Sequence, residues 1–405
     1  MTGPLENIRV IDFTRVLAGP FCTQLLGDLG ADIIKIERPN IGDDTRKWGP
    51  PYLKDAQGNE TNESAYYLSA NRNKRSVTID LARLEGQALA KRLIAKGDIV
   101  VENFKVGTLK KYGLAYDQIK ASTPALIYCS ITGFGQTGPY APRAGYDYLA
   151  QAMGGLMSIT GEATGEPVKV GIGIADIMAG MYAANAILAA LHRRDVTGEG
   201  QYIDIGLLDS QVAWLTYEGQ NYLSGGKVPR RLGNAHPNIV PYQTFEAADG
   251  YFVLAVGNDR QFHKFCNVAG CPSLVSDPRF ATNTQRIANR KELASLLSDI
   301  LIQKPIKYWT DALEKQGVPS GPVNDIREVF EDPQIQHRGM KIQMPDPARD
   351  DQQIDMIGNP IKLSETPVSY RRSPPILGQH TDEVLGEVLE MSALERKDLR
   401  EKDII

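Results

Sequence analysis

Short runs of β-branched and other apolar residues alternate with segments of helical periodicity along the first half of the chain. Ile8–Phe13 predicts a strand, the apolar positions of Pro20–Leu29 recur at helical spacing, and Ile33–Glu37 predicts a second strand. A strand–helix–strand unit favours a parallel sheet with a right-handed crossover. Two more strands are predicted at Asp98–Glu102 and Ala125–Ser130. We therefore expect an α/β fold built on a doubly wound, Rossmann-like sheet.

The pattern changes twice in the second half of the chain. A long helix rich in alanine and glycine is predicted from Ile174 to Arg194, and the turn-rich stretch Ser224–Asn234 indicates a linker. Strand and helix patterns resume over Thr244–Pro322, and a proline-rich tail ends in a helical segment at Thr381–Leu389. This order favours a second, smaller domain after the linker, because single hydrophobic cores stop growing near roughly 250–300 residues.

Composition and charge exclude several classes of function. The 405 residues include 45 Lys and Arg against 49 Asp and Glu, so the net charge is −4. We expect no binding of nucleic acid or of an anionic membrane, since both need a basic surface. No apolar run approaches the roughly 20 residues that cross a bilayer, and the first residues lack a charged and then apolar leader. The sequence predicts a soluble, cytoplasmic protein.

The cysteines favour neither a disulfide framework nor a zinc site. They are scattered at Cys22, Cys129, Cys266 and Cys271, without a Cys-x-x-Cys motif or a closely spaced histidine pair. Such spacing is typical of small buried thiols. We therefore predict no metal site.

The first strand–helix–strand unit raises the question of nucleotide binding. Its turn, Thr14–Pro20, lacks the Gly-x-Gly-x-x-Gly pattern that lets a pyrophosphate approach the backbone, which disfavours NAD. Glu37 ends the second strand, where it could bind a ribose hydroxyl, and Arg38 follows it. A cation there suits a ligand with an extra ribose phosphate, such as NADP or coenzyme A. A solvated charge at a strand end is the alternative interpretation of Arg38.

One acidic residue stands out near the start of the long apolar helix. Asp176 lies within Gly171–Gly180, where the helix dipole stabilises a carboxylate and the flanking glycines let a substrate approach the backbone. A reactive carboxylate is one interpretation. A helix cap is the other, because Asp is a favoured N-cap residue. The residues alone leave both interpretations open.

Several motifs together resemble the class III CoA-transferase family, the CaiB/BaiF type. They are Asp12–Pro20, Ile34–Pro39, Asn71–Ser76, Val101–Phe104, Ala175–Asp176 and Leu377–Thr381. The resemblance runs from about Leu5 to the end of the chain. Within the family, the chain is most similar to the succinate–hydroxymethylglutarate (glutarate) type, through Gly42–Pro50, Tyr128–Pro139 and His236–Gln243.

The resemblance implies a large Rossmann-like domain formed by both chain ends and a smaller α/β domain inserted between them. The boundaries we predict are residues 1–222 for the N-terminal part of the large, CoA-binding domain and 223–243 for a linker. They are followed by 244–325 for the small domain and 326–405 for the return linker and the rest of the large domain. Two such chains are expected to form an interlocked homodimer.

The resemblance also implies a covalent mechanism in which Asp176 is the nucleophile. Attack on an acyl-CoA would give an aspartyl anhydride, and the retained thiolate would convert it to an aspartyl-CoA thioester. Acyl-CoA and a free carboxylic acid are then the substrates, with no metal and no permanently bound cofactor. We expect succinyl-CoA as the donor and glutarate, hydroxymethylglutarate or a similar dicarboxylate as the acceptor.

Further site residues follow from the resemblance. The expected CoA contacts are Val16, Leu17, Ala18, Arg38, Asn103, Phe104, Lys105, Lys111, Tyr146 and Asp147. A remote carboxylate of the substrate needs a cation, because charge-assisted hydrogen bonds are strong. Arg15, Arg46 and His236 are the residues we predict for this role, and a surface position is the alternative for Arg46.

Several other functions are alternatives to the transfer of CoA between dicarboxylic acids. An α-methylacyl-CoA racemase of the same fold needs Gly-His-Asp, whereas Gly145 and Asp147 here flank Tyr146, a phenol that is a poor proton shuttle at neutral pH. Formyl-CoA transferase has a glycine run where this chain has Gly233–Pro237. An NADP-dependent oxidoreductase and a catalytically silent CoA-binding protein are the remaining alternatives.

Overall fold

The computed structural model of the chain describes residues 3–405, and at 350 and 351 it describes the backbone alone. Residues 1 and 2 lie outside the described part. The predicted large domain begins there, and so does the segment in which we expect no leader sequence. Contacts divide the chain into two compact units. The first unit runs to residue 156 and includes 169–224 and 336–405, whereas the second comprises 157–168 and 225–335.

Strands and helices alternate through both units. The strands are β1 (Arg9–Asp12), β2 (Asp32–Glu37), β3 (Tyr52–Lys54), β4 (Glu60–Ser64), β5 (Lys74–Thr78), β6 (Ile99–Glu102), β7 (Ile127–Thr132), β8 (Tyr202–Gly206), β9 (Tyr242–Ala247), β10 (Gly250–Ala255), β11 (Ser320–Pro322), β12 (Lys341–Asp346) and β13 (Arg349–Ile357). The helices are α1 (Ala18–Asp28), α2 (Ala65–Ser69), α3 (Leu84–Ile94), α4 (Thr108–Lys111), α5 (Tyr116–Ile119), α6 (Asp147–Met153), α7 (Leu156–Ile159), α8 (Ile174–Thr197), α9 (Leu207–Ala213), α10 (Thr216–Gly225), α11 (Asp259–Val268), α12 (Ser273–Ser276), α13 (Asn283–Ala288), α14 (Arg290–Leu301), α15 (Ile306–Glu314), α16 (Ile326–Glu331), α17 (Pro333–His337), α18 (Thr381–Leu389) and α19 (Ala393–Glu401). A 3-10 turn covers Asp44–Lys47.

Within the described part of the first unit, six parallel strands form one sheet in the order β5-β2-β1-β6-β7-β8. The register places Arg9 of β1 opposite Asp32 of β2, and Val10 of β1 opposite Ile99 of β6. The chain thus extends from β1 through β2 to β5, and then continues from β6 on the other side. Ligands of doubly wound sheets bind where the strand order reverses, beside the carboxyl ends of the central strands. The prediction of an α/β fold with a parallel sheet is confirmed.

Helices cover both faces of this sheet, which explains why its strands are apolar on both sides. Every residue of β7 is buried. On one face, Cys22 and Leu26 of α1 pack in a cluster with Met178 and Ile187 of α8. On the other face, side chains of α3 pack with side chains of α18, from near the end of the chain: Leu89, Leu93, Val384 and Leu385.

Helix α8 is long and apolar enough, by length and composition, to cross a membrane. This corrects the expectation that no segment of the chain reaches such a length. The helix packs against the sheet and α1, and 56% of the apolar window is buried. At Gly180, a Cβ would lie 2.6 Å from the carbonyl oxygen of Ala18, so glycine is required where α8 crosses α1. These contacts are those of a core helix.

The second unit has a hydrophobic core of its own. Its sheet is antiparallel, in the order β11-β10-β9. Phe245 and Phe252 of the sheet pack in one cluster with Phe262 of α11, Leu297 of α14 and Trp309 of α15. Alternating apolar residues on β9 and β10 therefore bury one face against helices.

Candidate active site

The reversal of strand order between β1 and β6 brings two loops together. The backbone N–H of Arg15 donates to Oδ1 of Asn103 at 2.9 Å, and Nδ2 of Asn103 donates to the carbonyl of Arg15 at 2.6 Å. One amide side chain thus satisfies both backbone groups of a residue in the opposite loop. Asn103 thereby fixes the distance between the two loops at the carboxyl edge of the sheet.

The turn after β1 contains a backbone conformation that is unusual for a β-branched residue. Val16 has φ of 69°, and left-handed conformations of such residues cost roughly 1–3 kcal/mol. Its N–H donates to Oδ1 of Asp43 at 3.2 Å, and Oδ2 of Asp43 accepts from Lys35 Nζ at 2.9 Å. Burial opposes the ionisation of Asp43, but the Lys35 ammonium outweighs it and lowers the pKa of that carboxyl. A fully charged acceptor therefore holds the turn in place.

Asp176 lies in the first turn of α8, and its side chain lines a cleft of about 180 Å³ at the edge of the sheet. Asp176 also lines a larger cavity of about 700 Å³. The residue is 9% exposed. One carboxylate is therefore accessible from two cavities while it is largely shielded from solvent.

A different residue caps this helix. Oδ1 of Asp147 accepts from the N–H groups of Ala175 at 2.7 Å and of Asp176 at 3.4 Å. Its Oδ2 accepts from Nε2 of Gln151 at 2.7 Å, and Oε1 of Gln151 accepts from the N–H of Val170 at 2.9 Å. The residues alone left the capping interpretation of Asp176 open, and the structure assigns the cap to Asp147. The predicted contact of Asp147 with CoA stays a prediction.

Burial and a neighbouring charge perturb the Asp176 carboxyl. Burial, and after it the charge of Asp147, raises the pKa of Asp176 to about 7. Tyr66 lines the larger cavity with Asp176, and burial followed by the charge of Asp176 raises its pKa to about 12. A carboxylate that is poorly solvated is a stronger nucleophile and base than one in water.

Most predicted CoA contacts lie together. Seven of them line the 180 Å³ cleft with Asp176, namely Val16, Leu17, Ala18, Asn103, Phe104, Lys105 and Tyr146. Arg38 lines an adjacent cavity of about 350 Å³ that also includes Arg15 and Phe104. Lys111 is exposed on α4 and is not among the residues that line these cavities. The CoA-binding roles themselves stay predictions.

Arg46 does not face the site, which corrects its predicted role as a substrate clamp. It is 1% exposed. Its Nε and Nη2 donate to the two oxygens of Glu37 at 2.9 and 2.7 Å, and Nη1 donates to Glu63. The remaining N–H groups donate to the Tyr67 hydroxyl at 2.6 Å and the Pro375 carbonyl at 3.2 Å. All five guanidinium donors are thereby occupied.

The same ion pair removes the ribose-binding interpretation of Glu37. Besides Arg46, its oxygens accept from the backbone N–H of Asp43 at 2.9 Å and the hydroxyl of Ser76 at 2.6 Å. Glu37 is 5% exposed. A buried carboxylate with four donors has no free geometry for a nucleotide hydroxyl.

The other two predicted cations lie in different units. Arg15 is half-exposed at the cleft, with its guanidinium 3.0 Å from Asp44 and 5.3 Å above the ring of Phe104. His236 belongs to the second unit, where Nδ1 accepts from the N–H of Asn238 at 3.1 Å and the ring lies 5.3 Å from Tyr242. Their roles in binding a carboxylate stay predictions.

Comparisons of the chain with known proteins identify its family. A model of CoA-transferase family III matches residues 5–381. The chain belongs to CoA-transferase family III. It is 50% identical, over 95% of its length and 96% of the relative, to a succinate–glutarate CoA-transferase from Agrobacterium fabrum. It is 46% identical, over 95% of its length and 86% of the relative, to a human succinyl-CoA:glutarate CoA-transferase.

A solved structure agrees with this assignment. A CaiB/BaiF family protein from Brucella suis is 47% identical and superposes with a TM-score of 0.85, covering 96% of this chain and 100% of that one. The chain is therefore an enzyme that transfers CoA, and its substrates are CoA thioesters. The predicted family and the predicted enzyme class are both confirmed.

Proposed function

We propose that this family III enzyme transfers CoA from succinyl-CoA to glutarate, hydroxymethylglutarate or a similar dicarboxylate, with Asp176 as the covalent nucleophile. The observation that carries this proposal is one shielded aspartate that lines two cavities, one of them formed by the loops predicted to bind CoA. The names of relatives at 46–50% identity support the choice of donor and acceptor.

The proposed reaction exchanges activated acyl bonds at one carboxylate. An oxygen of Asp176 attacks the thioester carbonyl of succinyl-CoA, the C–S bond breaks, and a mixed anhydride and CoA thiolate form. The thiolate attacks the aspartyl carbonyl, the C–O bond of the anhydride breaks, and succinate leaves. The acceptor carboxylate attacks the resulting aspartyl-CoA, and the same steps in reverse release the new acyl-CoA and restore Asp176.

The surroundings of Asp176 suit this chemistry. The amino end of α8 stabilises negative charge that develops on the tetrahedral oxygens and on the thiolate. Asp147 and Gln151 hold that end of the helix, so the carboxylate is positioned before substrate binds. The low exposure of Asp176 limits access of water, which would otherwise hydrolyse the anhydride.

A substrate screen with two variants tests the proposal. CoA exchange from succinyl-CoA to diacids of about four to six carbons is measured for the wild type, Asp176→Ala and Asp195→Ala. Asp195 lies on the same helix and is exposed, so it is the matched control. We expect exchange by the wild type and the control and none by Asp176→Ala. Transfer retained in Asp176→Ala would exclude the nucleophile, and no exchange by the wild type would exclude the substrates.

We also propose that the enzyme is a cytoplasmic homodimer in which two chains interlock. Large apolar side chains on α8, on α9 and directly after α9 support an interface, because they are more than a third exposed: Met181, Tyr182, Leu188, Val212 and Trp214. Light scattering coupled to size-exclusion chromatography tests this state. A mass of twice 44.5 kDa is expected, and a monomer at every concentration would exclude it.

A further inference from the structure

The larger cavity beside Asp176 has an apolar wall. Its volume is about 700 Å³, and its apolar lining includes Phe21, Leu25, Trp48, Ile172 and Ile177. Such a surface suits the methylene chain between the two carboxyl groups of a diacid. A charged group must then lie elsewhere on the wall to bind the second carboxylate.

Two cations line this cavity, and one of them is already neutralised. Arg72 is 3% exposed. Its Nε and Nη2 donate to the two oxygens of Asp28 at 2.9 and 2.6 Å, and its Nη1 donates to the carbonyl of Ile357 at 2.9 Å. A bidentate pair of this kind is a structural unit, since the charge of each partner is matched by the other.

The second cation, Lys169, has no such partner. Lys169 is exposed and lines the cavity, its ammonium donates to the carbonyl of Val170 at 3.1 Å, and it forms no ion pair with any side chain that the structure describes. The other acid on the wall besides Asp176 is Asp147, and its oxygens are held by the start of α8 and by Gln151. Lys169 can therefore bind a ligand anion without first breaking a salt bridge.

One hydrogen-bond relay connects the backbone next to Lys169 with the start of the helix that carries Asp176. The N–H of Val170, next to Lys169, donates to Gln151, and Gln151 donates to Asp147. Asp147 in turn accepts from the N–H groups that begin the helix of Asp176. The same two side chains thus hold the backbone beside Lys169 and the start of the helix that carries Asp176.

We propose that Lys169 binds the distal carboxylate of the dicarboxylate substrate while the near carboxylate reacts at Asp176. This inference rests on the function proposed above and gives it a specificity-determining residue. It assigns to Lys169 the role that was predicted for Arg46, whose guanidinium is buried and fully paired. A monocarboxylic acid of equal length would fill the apolar wall but leave the ammonium without a partner.

Acceptor kinetics test this role directly. Because the proposed exchange passes through a covalent intermediate, kcat/KM for the acceptor reports only the half-reaction with that acceptor. Glutarate and pentanoate, which differ in the distal carboxylate, are compared in the wild type, Lys169→Met and Lys169→Arg. Lys96→Met is the matched control, because Lys96 is exposed and does not line the cavity.

We expect Lys169→Met to lower the glutarate-to-pentanoate ratio of kcat/KM by roughly 10-fold to 100-fold, the range of a charge-assisted hydrogen bond. Lys169→Arg is expected to keep most of the ratio, and Lys96→Met all of it. An unchanged ratio in Lys169→Met, with the wild type active on glutarate, would overturn the role of Lys169. A wild type inactive on every diacid would instead overturn the proposed function.

Discussion

At the scale of single residues, Asp176 is a carboxylate whose surroundings disfavour its own charge. Burial and the nearby Asp147 raise its pKa to about 7, well above the 3.8 of an exposed aspartate. Attack on a thioester requires the ionised form, and a high pKa goes with high nucleophilicity. The burial and the neighbouring charge that make the Asp176 carboxylate reactive therefore also make its charged form destabilise the fold.

The pH dependence of the first half-reaction follows from this pKa. Protonation removes the nucleophile, so kcat/KM for the acyl-CoA should fall as the pH decreases through about 7. In Asp147→Asn the midpoint should move to lower pH, because a like charge is removed while the amide oxygen can still accept from Ala175. A profile that stays flat from about pH 5 to 9 would contradict the perturbed carboxyl.

The same shift predicts a stability gain on neutralisation. A carboxyl whose pKa is raised by folding contributes stability below its unfolded value and loses it as the pH rises through the folded value. Asp176→Asn should therefore be more stable than the wild type by up to about 4 kcal/mol above pH 7, and the difference should shrink towards pH 4. Thermal unfolding at both pH values measures it, with Asp195→Asn as the exposed control. An equal gain in the stability of Asp176→Asn at both pH values would contradict the link between the raised pKa of Asp176 and the stability of the fold.

At the scale of elements, α8 depends on close contact with α1 to place Asp176. Gly180 lies where the two helices cross. A Cβ added there would lie only 2.6 Å from the carbonyl oxygen of Ala18. Gly180→Ala should separate the helices, destabilise the fold by roughly 1–3 kcal/mol, and lower kcat more than it raises KM. Gly321→Ala, where an added Cβ meets nothing within 4 Å, is the control. Normal stability and kcat in Gly180→Ala would contradict this contact.

The elements also show what the sequence can and cannot predict. Strand and helix patterns in the sequence predicted β1, β2, β6 and most of α8. A helix buried along one stripe and a strand buried on both faces each have a local pattern of apolar residues. Strand β5 was not predicted, since its polar residues give no apolar run. Two of them, Lys74 and Arg75, are largely buried because they pair with Asp12 and Asp32, and those partners lie far away in sequence.

The site, too, could be predicted where a local motif marks it and not where it depends on residues far apart in sequence. Asp176 and the two loops of the cleft were predicted from motifs. The cap by Asp147 could not be predicted, because it joins residues that are 28 positions apart. Arg46 was placed wrongly for a similar reason: a lone arginine in a polar stretch gives no sign that Glu37 and Glu63 will bury it. No local signal marks Asp43, Gln151 or Lys169 either.

At the scale of the whole molecule, the position of the cleft is a consequence of topology. The strand order reverses between β1 and β6, and the loops that leave these strands carry Val16 and Asn103. A doubly wound sheet always opens a crevice at that point. Here the amino end of α8 brings a carboxylate to the crevice, whereas a dinucleotide-binding sheet has a glycine-rich turn there.

Mass spectrometry of trapped enzyme shows whether Asp176 forms a covalent CoA thioester during the reaction. The enzyme is incubated with succinyl-CoA without an acceptor, treated with borohydride, and digested. An aspartyl thioester is reduced by borohydride, so the peptide that contains Asp176 should carry homoserine at that position, and the peptide from Asp176→Ala should be unchanged. Catalytically active enzyme in which Asp176 stays unmodified, or in which another carboxylate is reduced, would contradict the mechanism.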